Sequence, residues 1–258
     1  MERAGQDRDF QFPQVRSVSA TAPLRWVELG WADIRRAPLA SLFYGIAFAV
    51  MGTLLQWFVD RTAVELALVT GFLLVAPFLA IGLYDLSRAG EAGEPVTLAD
   101  SMSAWQVNAG AVGLYALILA LLMAVWLRVS VVVVALFFTG GLPEAGTLLP
   151  ELIGSEEGLV FLAVYGAAGF GFALLVFASS VVSIPMLLDR RDMDTLTAMI
   201  VSFNAVRLNF LPMLLWAGII VVLTAIGLAT WNLGLVLTMP LIGHATWHAY
   251  REVVVPAG

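Results

Sequence analysis

The sequence predicts an all-α polytopic membrane protein. Six transmembrane helices form three helical-hairpin repeats, each preceded by a short amphipathic helix lying in the cytoplasmic interface. Three observations predict this. Hydrophobic residues make up 60% of the 258-residue chain and charged residues 12%, half the share of about 25% found in soluble domains. Charge that sparse cannot cover a water-facing surface. The apolar residues are gathered in long blocks, and arginine is gathered on alternate loops.

The blocks are 39–59, 63–84, 109–138, 159–188 and 211–250. A bilayer core takes about 20 helical residues, so the first four are single spans and the fifth is two. Its only polar interruption, Ala229-Thr230-Trp231-Asn232, marks the division. Inside a bilayer the backbone must pair its own polar groups. Blocks that do not alternate in polarity are therefore helices, not barrel strands. Arg128 stands 19 residues beyond Ala109, about 29 Å along a helix, where it can snorkel at the far boundary; a buried charge on a pathway is the alternative. The following 129–138 then extends the helix or lies in the interface.

Residues 1–20 are polar without an apolar signal core, and read as a disordered cytoplasmic tail before a single membrane domain at 21–254. Orientation follows from arginine. Arg3, Arg8, Arg16, Arg25, Arg35 and Arg36 precede the first span. Arg88 follows the second, Arg190, Arg191 and Arg207 lie between the fourth and fifth, and Arg251 follows the sixth. The opposite side holds Arg61 and the acidic loop 139–158, with Glu144, Glu151, Glu156 and Glu157 and no cation. Both termini are thus expected in the cytoplasm, the loop in the periplasm, and the chain in the inner membrane of a bacterium. Even parity agrees with six spans.

An internal repeat is expected over 24–88, 97–191 and 196–251. Trp31, Trp105 and Phe203 correspond, Arg35 matches Arg207, and the second spans carry Pro77, Pro185 and Pro240. The amphipathic helices place Trp26, Trp31 and Trp105 at headgroup depth as interfacial anchors, joined by Trp247, with arginine toward anionic lipid. Ala163, Ala167 and Gly171 recur at four-residue spacing. Such a stripe lets helices pack closely, within the chain or between subunits.

The run TMPLIGHATWHAYREVV, with LRWVELGWADIRRAPLASLFYG and PFLAIGLYDLSRAGEAGE, resembles the bacterial membrane family called domain of unknown function 2189. The resemblance covers about residues 15–254, and GHATWHAYR is its most specific part. It implies a multi-span inner-membrane protein. Some members carry the label of cytochrome c oxidase subunits, without an established function. The two histidines of this chain are too few for a haem–copper catalytic subunit.

Chemistry-bearing residues are scarce. The absence of cysteine and lysine removes thiolate sites, Schiff bases and the Walker lysine. His244 and His248 share one helix face. Counted from the prolines, Asp189 stands at the offset of His244 and Asp85 at that of His248, so His244, His248, Asp85 and Asp189 form a candidate polar cluster. Aromatic-belt anchoring and hydrogen bonding to a neighbour are the alternatives to proton handling or a metal there.

The leading expectation is a non-enzymatic scaffold, accessory or assembly partner of other membrane complexes, respiratory ones included. A small transporter or channel for an ion or solute is the alternative. A membrane-bound metal-binding protein using the His/Asp cluster is the third. No cofactor is expected, with a metal or haem at His244 and His248 as the exception. The expected partners are lipid and other membrane proteins and not nucleic acid, with homo-oligomerisation open.

Overall fold

The chain folds around its C-terminal helix. The computed structural model describes residues 12–57, 79–95, 97–138, 150 and 152–255, leaving out the Gln56 side chain. In chain order the helices are α1 (Ala22–Arg36), α2 (Pro38–Trp57), α3 (79–92) and α4 (Leu98–Ser103), the last continued by a 3-10 segment (Ala104–Asn108). Then come α5 (Ala109–Phe137), α6 (Glu156–Ser180), α7 (Ser183–Asp189), α8 (Thr195–Leu208), α9 (Phe210–Ala229) and α10 (Leu235–Val253). Helix α10 packs along α1, α2 and α9 and also touches α7. Every residue from Gly243 to Tyr250 is buried.

The breaks between helices have local causes. Pro38 has no backbone N–H to donate, so α1 ends at Ala37 and α2 sets off anew. Pro185 likewise cannot continue the ladder of α6, and the helix opens at Val181–Val182, where Ser202 Oγ accepts the Val182 N–H at 3.2 Å. Asn209 joins α8 to α9. The turn between α9 and α10 places Trp231 and Asn232 at φ of 56° and 66°, the left-handed region that Asn tolerates better than most residues. Thr97, Ser155 and Asp194 cap α4, α6 and α8 through their side-chain oxygens.

Among the described residues, four stretches are long and apolar enough to cross a membrane: Pro38–Leu55, Leu98–Phe137, Glu156–Asp189 and Phe210–Ala229. They coincide with the first, third, fourth and fifth expected spans. The second lies mostly at 63–78, outside the described residues, as do Arg61, Glu65 and Pro77. Helix α10 is not among the four because its second half is polar, with His244, Thr246, His248, Arg251 and Glu252, and the rest of the chain buries most of that half. Residues 129–137 continue α5 without a break, and Arg128 on it is exposed. Most of the acidic loop (139–149 and Glu151) also lies outside the described residues.

Two expectations need correction. Residues 12–20 are not a free tail. Val15 bridges Val254, Arg16 Nη2 donates to the Arg251 carbonyl at 2.9 Å, and Asn209 clasps the strap through Val18 N–H (2.9 Å) and the Arg16 carbonyl (3.1 Å). The end of α10 and the α8–α9 elbow both offer unpaired polar groups, and this segment satisfies them. Residues 1–11 lie outside the described residues. Of the four tryptophans read as anchors, Trp26 and Trp247 are fully buried, so neither can reach headgroups. Trp26 packs edge-on against Trp216 and donates to Glu252. Trp31 is exposed beneath Arg35, and Trp105 is half-buried.

Helices α5 and α6 form an arm. Trp126 meets Tyr165 and Phe172 at 5.5 and 5.3 Å between ring centres, and Ser130 and Tyr165 share a 2.7 Å hydrogen bond. The seam uses Gly169, where a Cβ would lie 3.3 Å from the Trp126 ring. The stripe Ala163, Ala167 and Gly171 faces outward and is exposed, so within the described chain no helix packs on it.

Glycines set how closely α10 can be approached. A Cβ on Gly45 of α2 would lie 1.9 Å from the Val236 carbonyl oxygen, and one on Gly30 of α1 would lie 2.8 Å from the Ala245 nitrogen. Gly45→Ala should therefore destabilise the protein by about 1–3 kcal/mol. Gly113→Ala, with open space around it, should be neutral or gain up to about 1 kcal/mol of helix propensity. Thermal unfolding of the two purified variants in one detergent compares them directly.

Candidate functional site

The four-residue spacing of His244 and His248 turns both rings toward the same neighbours, α1 and α3. Gly30 lets α10 lie close against α1, and Asp33 follows one turn later on the same buried stripe as Trp26 and Gly30. A Cβ on Gly243 would meet the Leu83 side chain of α3 at 2.6 Å, and Ser87 stands one turn beyond Leu83. These close crossings bring a carboxylate, two imidazoles and two hydroxyls together inside the protein.

Asp33 is the centre. Its Oδ2 accepts from Ser87 Oγ and from His248 Nε2, both at 2.7 Å, and its Oδ1 accepts from the Arg36 guanidinium at 2.8 Å. Ser87 has one proton, and it goes to Asp33. Its oxygen must then accept from His244 Nδ1 at 2.7 Å, which leaves His244 Nε2 facing Ser41 Oγ at 2.9 Å. Ser41, Ser87 and His244 are completely buried.

The other side of His248 faces charge as well. Its Nδ1 stands 3.4 Å from Glu91 Oε1, and Glu91 pairs with Arg251 Nε at 3.1 Å. Both ring nitrogens thus face carboxylate oxygens, which can only accept, so the geometry suits imidazolium. Arg251 leads on to Asp189 at 3.6 Å, and Tyr250 donates to Asp189 at 2.6 Å. Counted this way, Asp33, Glu91 and Asp189 balance Arg36, His248 and Arg251.

Burial by itself would push the Asp33 carboxyl up. Hydrogen bonds from His248 and Ser87, with the charge of His248, outweigh it and hold the group below its ordinary 3.8. Glu91 behaves alike: burial opposes ionisation, but His248 and Arg251 hold it below its ordinary 4.5.

The candidate cluster is therefore rearranged. Both histidines turn inward, but the acid between them and α1 is Asp33, not Asp85 or Asp189. Asp85 pairs with Arg88 of its own helix at 2.5 Å, and Asp189 serves Tyr250 and Arg251. The reason is rotational: α3 turns Ser87 and Glu91, not Asp85, toward α10. Asp33, Ser41, Ser87 and Glu91 were missed. Asp33 had a signal, an acid on the buried stripe of α1, while the serines had none. Among the described residues no three His, Asp or Glu side chains gather as a metal ion needs. Each imidazole nitrogen already faces a protein oxygen, so a metal would have to displace one.

Long apolar helices around this enclosed polar chain define an all-helical integral membrane protein. Residues 65–189 match the family model described as "Predicted integral membrane protein (DUF2189)", the family that the sequence resembled. The match takes in Asp85, Ser87, Glu91 and Asp189 and ends before the histidine run of α10. No curated protein and no solved structure matches the chain.

Two measurements follow. Asp33→Ala removes the shared partner of a buried imidazolium and should cost about 3–5 kcal/mol. Asp85→Ala should cost about 1 kcal/mol, because Arg88 is 40% exposed and turns to water instead. Denaturant unfolding in detergent ranks the pair. The second is acid stability. Asp33 and Glu91 ionise more readily folded than unfolded, so their contribution is complete above their ordinary values of 3.8 and 4.5 and is lost as the pH falls through the lower folded values. Unfolding curves between pH 6 and pH 3 should show wild type losing stability toward the acid end and Asp33→Asn losing less.

Proposed function

We propose that this protein is a non-enzymatic membrane scaffold or accessory subunit that works by packing its α5–α6 arm against other membrane proteins. The observation that supports the reading is the outward stripe Ala163–Ala167–Gly171 on a membrane-length helix. In lipid, helices associate by close backbone approach over small residues, and among the described residues no helix covers this stripe, while Gly169 is used against Trp126. The polar chain around Asp33 serves the reading as a structural clamp. It fixes the base of the protein and needs no cofactor.

The topology that goes with this proposal has six spans: the four apolar stretches, a second span over 63–84, and α10 as the sixth. Both termini face the cytoplasm of a bacterial inner membrane, in agreement with the arginine distribution. The triplicated unit is supported by the three places where a short helix runs into a span after a single break: α1 into α2, the α4 segment into α5, and α8 into α9.

The cysteine-free chain makes the test simple. A cysteine introduced at Ala167 and coupled to a short photo-crosslinker should yield, in native membranes, adducts with one or a few defined membrane proteins. The same probe at Leu162, exposed but about 140° round the helix from Ala167, should yield fewer. Exclusive coupling to lipid from Ala167 would remove the scaffold reading, a ladder of self-adducts would replace it with homo-oligomerisation, and solute flux by the purified protein in liposomes would favour a transporter.

Orientation is checked separately. Reporter fusions after Arg88, Arg191 and Arg251 should read as cytoplasmic and one at Glu151 as the opposite side. A cytoplasmic Glu151 would overturn both span count and orientation.

A further inference from the structure

Helix α8 is amphipathic in an inverted sense. Its buried side is lined with small residues, Thr197, Ala198, Ser202 and Ala205 among them. Its large apolar side chains point outward: Leu196 is 62% exposed, Ile200 56% and Phe203 39%. Water would make such a contiguous apolar face costly. The face ends in Arg207, which is exposed, and its guanidinium meets Asn204 Oδ1 of the same helix at 3.2 Å. One residue, Asn209, then separates the helix from the apolar stretch Phe210–Ala229.

Beside this face lies a groove of about 380 Å³, with Ile200, Phe203, Asn204 and Arg207 on one side and Phe12 and Pro13 of the N-terminal strap on the other. It is apolar along most of its length and carries a cation at the end nearest the span. We propose that this groove binds an anionic membrane phospholipid, with the headgroup phosphate on Arg207 and the Asn204 amide and the upper acyl chain against Ile200, Phe203 and Phe12.

The chemistry fits on both counts. A guanidinium presents several N–H donors in a planar fork that matches phosphate oxygens. The adjoining aromatic and branched side chains suit the glycerol and first methylenes of a lipid, not a free anion. Helix α1 carries the same arrangement at the same intervals: Leu24 and Trp31 are exposed, Arg35 lies over the Trp31 ring at 5.9 Å, and Ala37 separates the helix from α2. Two helices that each lead into a span, each with an outward aromatic and a cation one turn later, fit the boundary between acyl chains and headgroups.

The test uses the full-length protein in nanodiscs of equal phosphatidylglycerol and phosphatidylethanolamine with matched acyl chains. Lipids retained after transfer to detergent are counted by native mass spectrometry. Wild type should retain phosphatidylglycerol in preference. Arg207→Gln should lower that retention about fivefold, the contribution of one basic side chain near an anionic surface, and Arg207→Lys should keep part of it. Arg191→Gln, which removes an exposed cation outside the groove, should retain phosphatidylglycerol as wild type does. Because Arg207 is exposed and bonds within its own helix, thermal unfolding of Arg207→Gln should match wild type.

Equal retention of the two lipids by wild type would overturn the proposal. So would undiminished retention by Arg207→Gln, or an equal loss in Arg191→Gln, which would reduce the effect to bulk charge. Displacement of phosphatidylglycerol by millimolar inorganic phosphate would reassign the groove to a free anion.

Discussion

A single carboxylate, that of Asp33, constrains the rest of the structure. An ionised acid taken out of water without partners costs many kcal/mol, and a neighbour removed from it leaves that cost uncompensated. Asp33 avoids it by accepting from three elements at once: Arg36 of α1, Ser87 of α3 and His248 of α10. Two of these partners have a second obligation. Ser87 must receive from His244, His244 reaches Ser41 of α2, and His248 reaches Glu91. Rotation or sliding of α1, α3 or α10 breaks more than one of these bonds, and movement of α2 breaks the bond from Ser41 to His244. The polar chain therefore specifies register in a part of the molecule where apolar packing alone would tolerate slippage.

The helix that carries both histidines is possible only because of this enclosure. Helix α10 holds polar residues that would be expensive against lipid, and the close approaches at Gly30, Gly45 and Gly243 bring α1, α2 and α3 near enough to cover it. The strap of residues 12–18 completes the closure by pairing with 253–255 and with Asn209. At the other extreme, α5 and α6 are apolar nearly throughout, and among the described residues their middle portions are held chiefly by one another. The molecule thus joins a base specified by hydrogen bonds to an arm specified by packing, and the arm has surface left for lipid or for another helix.

Much of this was legible without coordinates. The composition and block lengths required apolar helices, and four of the expected spans coincide with membrane-length helices. The polar break at 229–232 is a turn, and His244 and His248 do face inward. Legibility failed where the outcome depended on which side of a helix meets which neighbour. Trp26 and Trp247 read as belt residues because tryptophan favours interfaces, yet both are core. Spacing does not separate Gly169, which meets Trp126, from the outward stripe Ala163, Ala167 and Gly171. Counting from prolines selected Asp85 and Asp189, and the helical rotation of α3 selected Ser87 and Glu91 instead.

Taken alone, the sequence determined what must be helical, what must be apolar, and that its few ionisable groups near spans needed partners. Those follow from local rules: backbone pairing in lipid, the length of a bilayer and the cost of burying charge. The identity of the partners was decided only by the tertiary structure. Asp33 lies more than 200 residues from His248, and nothing local links them. The link comes from a helix crossing at Gly30, whose missing side chain sets the distance at which a carboxylate and an imidazole can share a proton's worth of charge.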